Sequence, residues 1–593
     1  MRTSNYSHKK ISTFILACIL AIYTFRKVQY GIDVTDTGYH FSNFMYMQSM
    51  DPMWIFSTYL SSYLGYLITL LPGGSTLLGM NIYTSVIPML MSVGSYLFCV
   101  KCLHIKIWIA FWGNILALSL CWCPTTCIYN YLTYLIFMAA VICLYIGLVQ
   151  GKLFFLVLAG SCLGLNVFVR FPNVAEIALI IVVWESVFLK KESMKSLLQK
   201  TGACVLGFLL GLVVVLIQIA CTYGIDAYVE GIIRLLSMSS DASGYTLYEM
   251  IYSTLQAYLF SIKWFIYLIV ALVAGMLGFM VLPRKFTSVK TVGLTVCFFI
   301  LFRWFYGQGM FNVSYDGYGA MLNWGVLLLM LAIVFIVVTT LSKKFSYEEK
   351  IFSGLMLVVI GITPLGSNNQ LYSNLNNMML VIPFVLYYCH KCLLLTKEYS
   401  VSFLKKEITI FTVPLKIAIA TVVCMASVQI VVFGAVFVFR DTLEYGDRDT
   451  QVTSIDALRG MYTSATKAKA LEELGEFVAT EGLTGKSVLL YGDIPALSAY
   501  LEMPFVLSPW PDLASYTEET FEAELLKLDL ETDRVVLLFS DDFNNTLTTL
   551  VDNEQNIEDA IVKYGLKAVL IHDMIETYDY EKVFDNGIYV IYE

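Results

Sequence analysis

Ile11–Phe44 reads ISTFILACILAIYTFRKVQYGIDVTDTGYHFSNF. Ile11 to Phe25 is apolar enough to enter a bilayer, follows His8, Lys9 and Lys10, and is not followed by a small-residue cleavage site. It therefore reads as an uncleaved signal-anchor and not a signal peptide. What comes next is of another kind: Asp33, Asp36 and His40 stand where the chain has just left the membrane. Ionisable groups at that depth are costly unless they are used. Residues 1–439 hold only thirteen further acidic side chains, so this cluster is the first place to look for chemistry.

The same alternation of apolar run and polar turn continues along the chain. Of its 593 residues 58% are hydrophobic and the mean hydropathy is +0.71, far above the apolar share of soluble domains. After Ile11–Phe25, further runs at 76–100, 107–123, 131–149, 153–169, 174–189, 201–221, 262–282, 291–306, 319–341, 351–363, 377–392 and 408–439 are read as spans. The expectation is a polytopic α-helical membrane protein of about thirteen transmembrane helices.

Loop charges orient it. Starting from an inside N-terminus, the turns 101–106, 150–152, 190–200, 283–290, 342–350 and 391–407 fall on the cytoplasmic side, and every one carries lysine or arginine. The opposite loops hold only near-isolated cations, Arg26, Lys27, Arg170, Arg234 and Arg303. That asymmetry is the positive-inside pattern, and it implies an inner (plasma) membrane protein with a cytoplasmic N-terminus. An odd number of spans then puts the C-terminal end outside, on the face that carries Asp33 and Asp36.

Charge also divides the chain. Residues 1–439 carry a net +12 and residues 440–593 a net −20. The expected organisation is a membrane domain over 1–439, a connector over 440–466 and an acidic extracytoplasmic domain over 467–593. An acidic domain does not seek nucleic acid. All fourteen cysteines lie at or before Cys424, mostly within apolar runs, where they act as small apolar residues and not as disulfide or metal ligands. The C-terminal part alternates helix (467–481), strand (487–491), helix (494–501), helix (517–528), strand (534–540), helix (557–564), strand (568–572) and strand (588–592), which predicts an α/β sandwich with a largely parallel sheet. The turn Gly492-Asp493-Ile494-Pro495 is not a glycine-rich phosphate loop, so a nucleotide site is not supported.

Several side chains could carry chemistry. With a helix beginning after Thr35, Asp36 and His40 are four residues apart and share a face. Asp36, or Asp33 beside it, could deprotonate a hydroxyl, and Asp36 with His40 could hold a divalent cation. Alternatively Asp36 caps a helix and His40 sits at headgroup level. Arg170, Arg234 and Arg303 could each bind a phosphate or extend to headgroups. Asn368, Asn369 and Asn376, within the amide-rich run from 363 to 377, could bond sugar hydroxyls or could cap helices and turns. The 31–75 loop, with Trp54, Tyr59, Tyr63 and Tyr66, reads as amphipathic helices lying in the membrane interface.

An acidic motif in the first outer loop (Asp33-Val-Thr-Asp36-Thr-Gly-Tyr-His40), about a dozen spans and an outward C-terminal α/β domain together resemble the GT-C superfamily of integral membrane glycosyltransferases. Arg170-Phe-Pro-Asn173, Gly366-Ser-Asn-Asn369, Tyr491-Gly-Asp-Ile-Pro495 and Ser508-Pro-Trp-Pro-Asp512 are similar to bacterial members of that superfamily. The resemblance implies a polyprenyl-phosphate-linked sugar as donor and a glycan, lipid or protein as acceptor. It implies Asp36 as catalytic base, with Asp33 second. The chain departs from the protein-mannosyltransferase branch, whose acidic pair is Asp-Glu, because Thr37 follows Asp36 here. The competing readings are a flippase or transporter for lipid-linked sugars and a polysaccharide polymerase or ligase. Paired half-sequences and midplane charges, the marks of many transporters, are not visible.

Overall fold

The computed structural model describes every residue except 1, 242–245, 314–317, 367–368, 397, 404–405, 442–446, 514, 529, 531–533, 553–560 and 562–564. The apolar runs expected to span the membrane lie wholly or partly on helices; the run at 408–439 opens in a strand (Lys406–Phe411) and becomes helical at Thr412. Among the described residues eight helices, against the thirteen spans expected, are long and apolar enough to cross a membrane: Leu77–Lys101, Ile128–Gln150, Phe171–Lys190, Met194–Thr222, Leu247–Val281, Thr287–Gly307, Gly319–Leu341 and Thr412–Val436. Shorter apolar helices lie at Lys10–Tyr23, Ile107–Leu120, Leu153–Asn166 and Val381–Leu393.

Packing within this body is close where glycines allow it. Leu153–Asn166 and Met194–Thr222 meet along Gly160, Gly164, Gly207 and Gly211, and a Cβ added at Gly160 would lie 1.9 Å from the Cys204 carbonyl oxygen. Small residues four apart let helix backbones approach in an apolar solvent, where dispersion and not water exclusion drives association.

Two ends of the body differ in chemistry. At one end the lysine-bearing turns gather: Lys391 pairs with Glu349, Lys106 lies 3.2 Å from the His390 imidazole, and Lys190 sits 4.2 Å over the Tyr347 ring. At the other end, α1 (Arg2–Tyr23) gives way to the segment that holds α2 (Asp36–Met45). Here Arg26 donates to the carbonyls of Tyr23, Leu118 and Gly434, so one guanidinium closes the C-terminal ends of three helices.

Several loop expectations change. Part of the aromatic set in the 31–75 segment packs on protein. Tyr59 is fully buried, Tyr63 stacks on it at 6.1 Å, and Trp54 packs on Tyr516 at 5.2 Å. Aromatic density there serves protein packing. The expected outer loop 222–261 is two helices, Ile225–Asp241 and the start of Leu247–Val281. The turn expected over 391–407 contains an antiparallel hairpin, β1 (Glu398–Phe403) with β2 (Lys406–Phe411).

The connector holds a short antiparallel pair, β3 (Thr450–Gln451) and β4 (Tyr462–Thr463). Tyr462 also exchanges backbone bonds with Gln29 and Gly31, which ties the connector to the chain just ahead of Asp33. Beyond it stands a four-stranded sheet of β5 (Val488–Tyr491), β6 (Val536–Ser540), β7 (Lys582–Asp585) and β8 (Tyr589–Tyr592), in the order β5-β6-β8-β7. Only β5–β6 is parallel; β6–β8 and β8–β7 are antiparallel, so the sheet is mixed and not largely parallel. The expected strand at 568–572 is the helix Leu566–Thr577. Its buried residues Ala568, Val569, Ile571 and Met574 follow helical spacing, and burial along that face overrides the local β preference of the run. The helix expected at 557–564 lies almost wholly outside the described residues.

Candidate functional site

The start of α2 sorts the two aspartates. Thr35 occupies the N-cap position but its side chain caps nothing. Asp33, 4% exposed, does that work from two residues upstream. One of its oxygens accepts from the Thr35 amide (3.0 Å) and the Thr35 hydroxyl (2.6 Å), and the other accepts from the Thr37 amide (2.8 Å). A buried carboxylate holding three donors at a helix N-terminus is a structural anion.

Asp36 is the first residue of α2, and its side chain keeps 37% of its surface exposed. Its nearest cation is Arg440, whose Nη1 lies 3.4 Å from the carboxylate and donates to Thr35 Oγ1 at 2.6 Å. Partial burial raises the Asp36 pKa above the ordinary carboxylate value; Arg440 draws it down, and the charges of Asp33 and Asp493 push it up. Asp36 is therefore the open carboxylate of the pair, and its pKa is raised.

His40 shares the α2 face of Asp36, as the four-residue spacing requires. Its ring lies 4.7 Å from Tyr129, 5.2 Å from Tyr39 and 6.2 Å from Phe44. Burial takes its pKa down to about 3, so the imidazole is neutral at physiological pH. Among the described residues no group of three His, Cys, Asp or Glu side chains could hold a metal. Asp36 and His40 alone give two donors.

Of the three arginines singled out in the sequence, one belongs to this neighbourhood. Arg170 lies 5.5 Å over the Tyr129 ring, which also contacts His40, and donates to the Gly366 carbonyl at 2.5 Å. Pro172 fills the space beside Gly366, which has φ +90°. The Arg170–Asn173 and Gly366–Asn369 motifs thus meet. Behind Arg170 lies a buried polar network that the sequence does not announce. Asn173 donates to Thr133 Oγ1 (2.8 Å) and to the Asn166 carbonyl (2.9 Å), while Asn166 donates to the Glu176 carboxylate (2.6 Å). Arg234 is elsewhere, 3.5 Å from both Asp51 and Glu524. Arg303 is exposed on its helix with its guanidinium 5.5 Å over the Tyr306 ring.

The amide-rich run is mostly engaged in structure. Asn376 is 2% exposed and accepts from the Trp122 amide at 3.0 Å. Asn374 donates to the Ile360 carbonyl and Asn377 to Thr363 Oγ1. Asn369 is exposed, with its carbonyl accepting from the Tyr372 amide, and Asn368 lies outside the described residues.

The third contributor comes from more than four hundred residues away. The Ala496 amide donates to the Val34 carbonyl (3.0 Å), Ser42 Oγ to the Pro495 carbonyl (2.9 Å) and the Tyr500 hydroxyl to the Asp33 carbonyl (2.9 Å). Gly38 permits the contact, since a Cβ there would lie 1.9 Å from that of Ala496. Beside this junction the Trp510 ring sits 5.8 Å from Tyr39, and its Nε1 donates to Asp493 Oδ1 at 2.9 Å. Next to α2 there is also a cavity of about 130 Å³, lined among others by Lys27, Asp33, Thr37 and Trp122.

No protein-family model matches the chain, and no curated protein matches it either. Among solved structures it is similar to the crystal structure of ArnT from Cupriavidus metallidurans bound to undecaprenyl phosphate, with 10% identity, a TM-score of 0.40, and 99% of this chain and 98% of that chain covered. The apo crystal structure of the same protein gives 12% identity and a TM-score of 0.37 with the same coverage.

Proposed function

We propose that the chain is a membrane glycosyltransferase that moves a sugar from a polyprenyl-phosphate donor to a hydroxyl of a cell-envelope glycan, lipid or protein. One observation carries the reading: the first polar loop holds two carboxylates, of which Asp33 is sealed into the helix start and Asp36 is open, raised in pKa and on the helix that meets the segment following β5. In this reading residues 1–439 form the membrane body, 440–466 the connector and 467–593 an extracytoplasmic domain, with the N-terminus in the cytoplasm.

The acceptor oxygen attacks the anomeric carbon while its proton passes to the Asp36 carboxylate. The bond from that carbon to the phosphate oxygen breaks, and the electron pair leaves with the polyprenyl phosphate. Arg170 meets the charge that develops on the leaving phosphate. Its place beside Tyr129 and His40 supports this choice over Arg234, which is paired with Asp51 and Glu524, and Arg303, which sits apart. A neutral His40 shapes the cleft and takes no proton at neutral pH.

The test is turnover. Purified protein in lipid nanodiscs is incubated with labelled polyprenyl-phosphate sugars and envelope acceptors. Release of polyprenyl phosphate with appearance of glycosylated acceptor supports the reading, and movement of intact donor across vesicles without release supports a flippase instead.

A further inference from the structure

One groove on the membrane body is almost wholly apolar along its length and basic at one end. It lies between α1 and the helix Val86–Lys101, encloses about 760 Å³, and has Lys10 and Lys101 as the charged members of its lining. Phe14, 70% exposed, and Leu90, 49% exposed, stand out beside the small side chains of Ala17 and Ala21. The two walls run in opposite directions: Thr13 lies beside Tyr96, while further along Asn81 donates to the Val28 carbonyl at 3.0 Å. That register brings Lys10, ahead of the apolar part of α1, and Lys101, the last residue of the neighbouring helix, to the same end. The sequence has no acidic residue before Asp33 or between Asp51 and Glu176, so neither wall supplies these exposed lysines with a carboxylate. A groove of similar size, about 740 Å³ beside Trp108 and Trp112, has no lysine or arginine in its lining.

We propose that this groove binds one anionic phospholipid, with an acyl chain lying along α1 and the phosphate held by Lys10 and Lys101. Its length fits that occupant. From Lys10 to Ala21 an α-helix rises about 16 Å, and the hydrocarbon of one leaflet is about 15 Å deep. With the N-terminus in the cytoplasm, as proposed above, the lipid belongs to the cytoplasmic leaflet, at the opposite end of α1 from Asp33 and Asp36. The site is therefore separate from the proposed transfer site and assigns no role to Asp36. The acyl chain contributes packing and not water exclusion, since the solvent it leaves is itself lipid. Selectivity comes from the lysines: each cation near an anionic headgroup is worth a factor of about five in affinity. A zwitterionic lipid with the same chains gains less, because its own cation meets the same two lysines.

The experiment maps the occupant directly. Full-length protein in phosphatidylcholine nanodiscs receives a small fraction of phosphatidylglycerol that carries a diazirine halfway along one acyl chain. After irradiation and digestion, crosslinked peptides are quantified by mass spectrometry. The comparison probe is phosphatidylcholine with the same diazirine chain. Crosslinks are expected on the peptides covering 13–21 and 89–100, at least about fivefold more with phosphatidylglycerol than with phosphatidylcholine. Lys10→Gln combined with Lys101→Gln removes that excess, whereas Lys195→Gln, at an exposed lysine outside the groove lining, leaves it in place. Equal yields from the two probes in wild-type protein overturn the proposal without recourse to any variant, and so does an excess that survives both glutamines. Displacement of the probe by polyprenyl phosphate at a lower concentration than unlabelled phosphatidylglycerol also overturns it, since the groove then belongs to the isoprenoid. None of these readouts depends on sugar transfer, so the lipid site and the transferase reading fail separately.

Discussion

Two polar segments, the start of α2 and the amide-rich run around Asn369–Asn377, look equally promising in the sequence and differ in what their side chains do. In the second, Asn376 and Asn377 satisfy a backbone amide and a hydroxyl, and Asn374 donates to the Ile360 carbonyl while its Oδ1 is left buried without a partner, so most of the polarity there is consumed by the fold. In the first, Asp33 is consumed in the same way, but Asp36 keeps more than a third of its surface and meets groups from two distant parts of the chain. Density of polar residues does not identify a site. A polar group left open among well-satisfied neighbours does, because burying it unpartnered costs free energy that the fold does not otherwise recover.

That contrast can be broken most sharply at its two aspartates. Asp36→Asn should lower the transfer rate by about 10²- to 10⁴-fold with little change in thermal stability, read as initial rate and melting temperature on the same preparation. Arg170→Ala should cost about a hundredfold in rate, since one donor aimed at developing charge is lost. Asp33→Ala should show the opposite signature to Asp36→Asn. It leaves buried amides without an acceptor and should remove about 1–3 kcal/mol of stability, seen as a lower melting temperature, while folded molecules retain Asp36. Asn376→Ala belongs with Asp33 and should destabilise without altering the kinetics of the folded fraction.

Acidity sharpens the comparison further. The raised pKa of Asp36 means that its base form is lost as pH falls through a value above the usual carboxylate range of about 4, so the acid limb of the rate profile should lie there. His40, taken down to about 3, adds no step near its ordinary pKa of about 6.5. Such a step would reassign the base. The smallest effect is expected at Arg303→Gln, within about 0.5 kcal/mol in stability and with unchanged rate, because that side chain stands on an exposed helix face away from α2.

The membrane body was legible in outline because long apolar runs have few other fates, and most of them lie on helices, although the count of thirteen spans was not reached and the run at 408–439 opens in a strand. The sheet was less so. Strand β7 carries Lys582 and Asp585, is mostly exposed and includes a register shift, features of an edge strand whose composition hides its conformation. Helix Leu566–Thr577 was hidden for the converse reason, a β-like run made helical by one buried face. At the site, the importance of Asp36 could be read from scarcity of charge and helix spacing. The partners could not. Arg440 reaches Thr35 over 405 residues of sequence, and the Tyr500 hydroxyl reaches the Asp33 carbonyl over 467. Little local encodes such meetings; the glycines at 31, against Val438, and at 38, against Ala496, are their trace in the first loop.

The central claim is that Asp36 takes the acceptor proton in a sugar transfer. Its most direct test is the initial rate of labelled-sugar transfer from a polyprenyl-phosphate donor by Asp36→Asn and wild-type protein, side by side in nanodiscs, with equal melting temperatures as the control for folding. The account predicts a rate at least about a hundredfold lower in the variant. A rate within about twofold of wild type, in protein that melts at the same temperature, would contradict it.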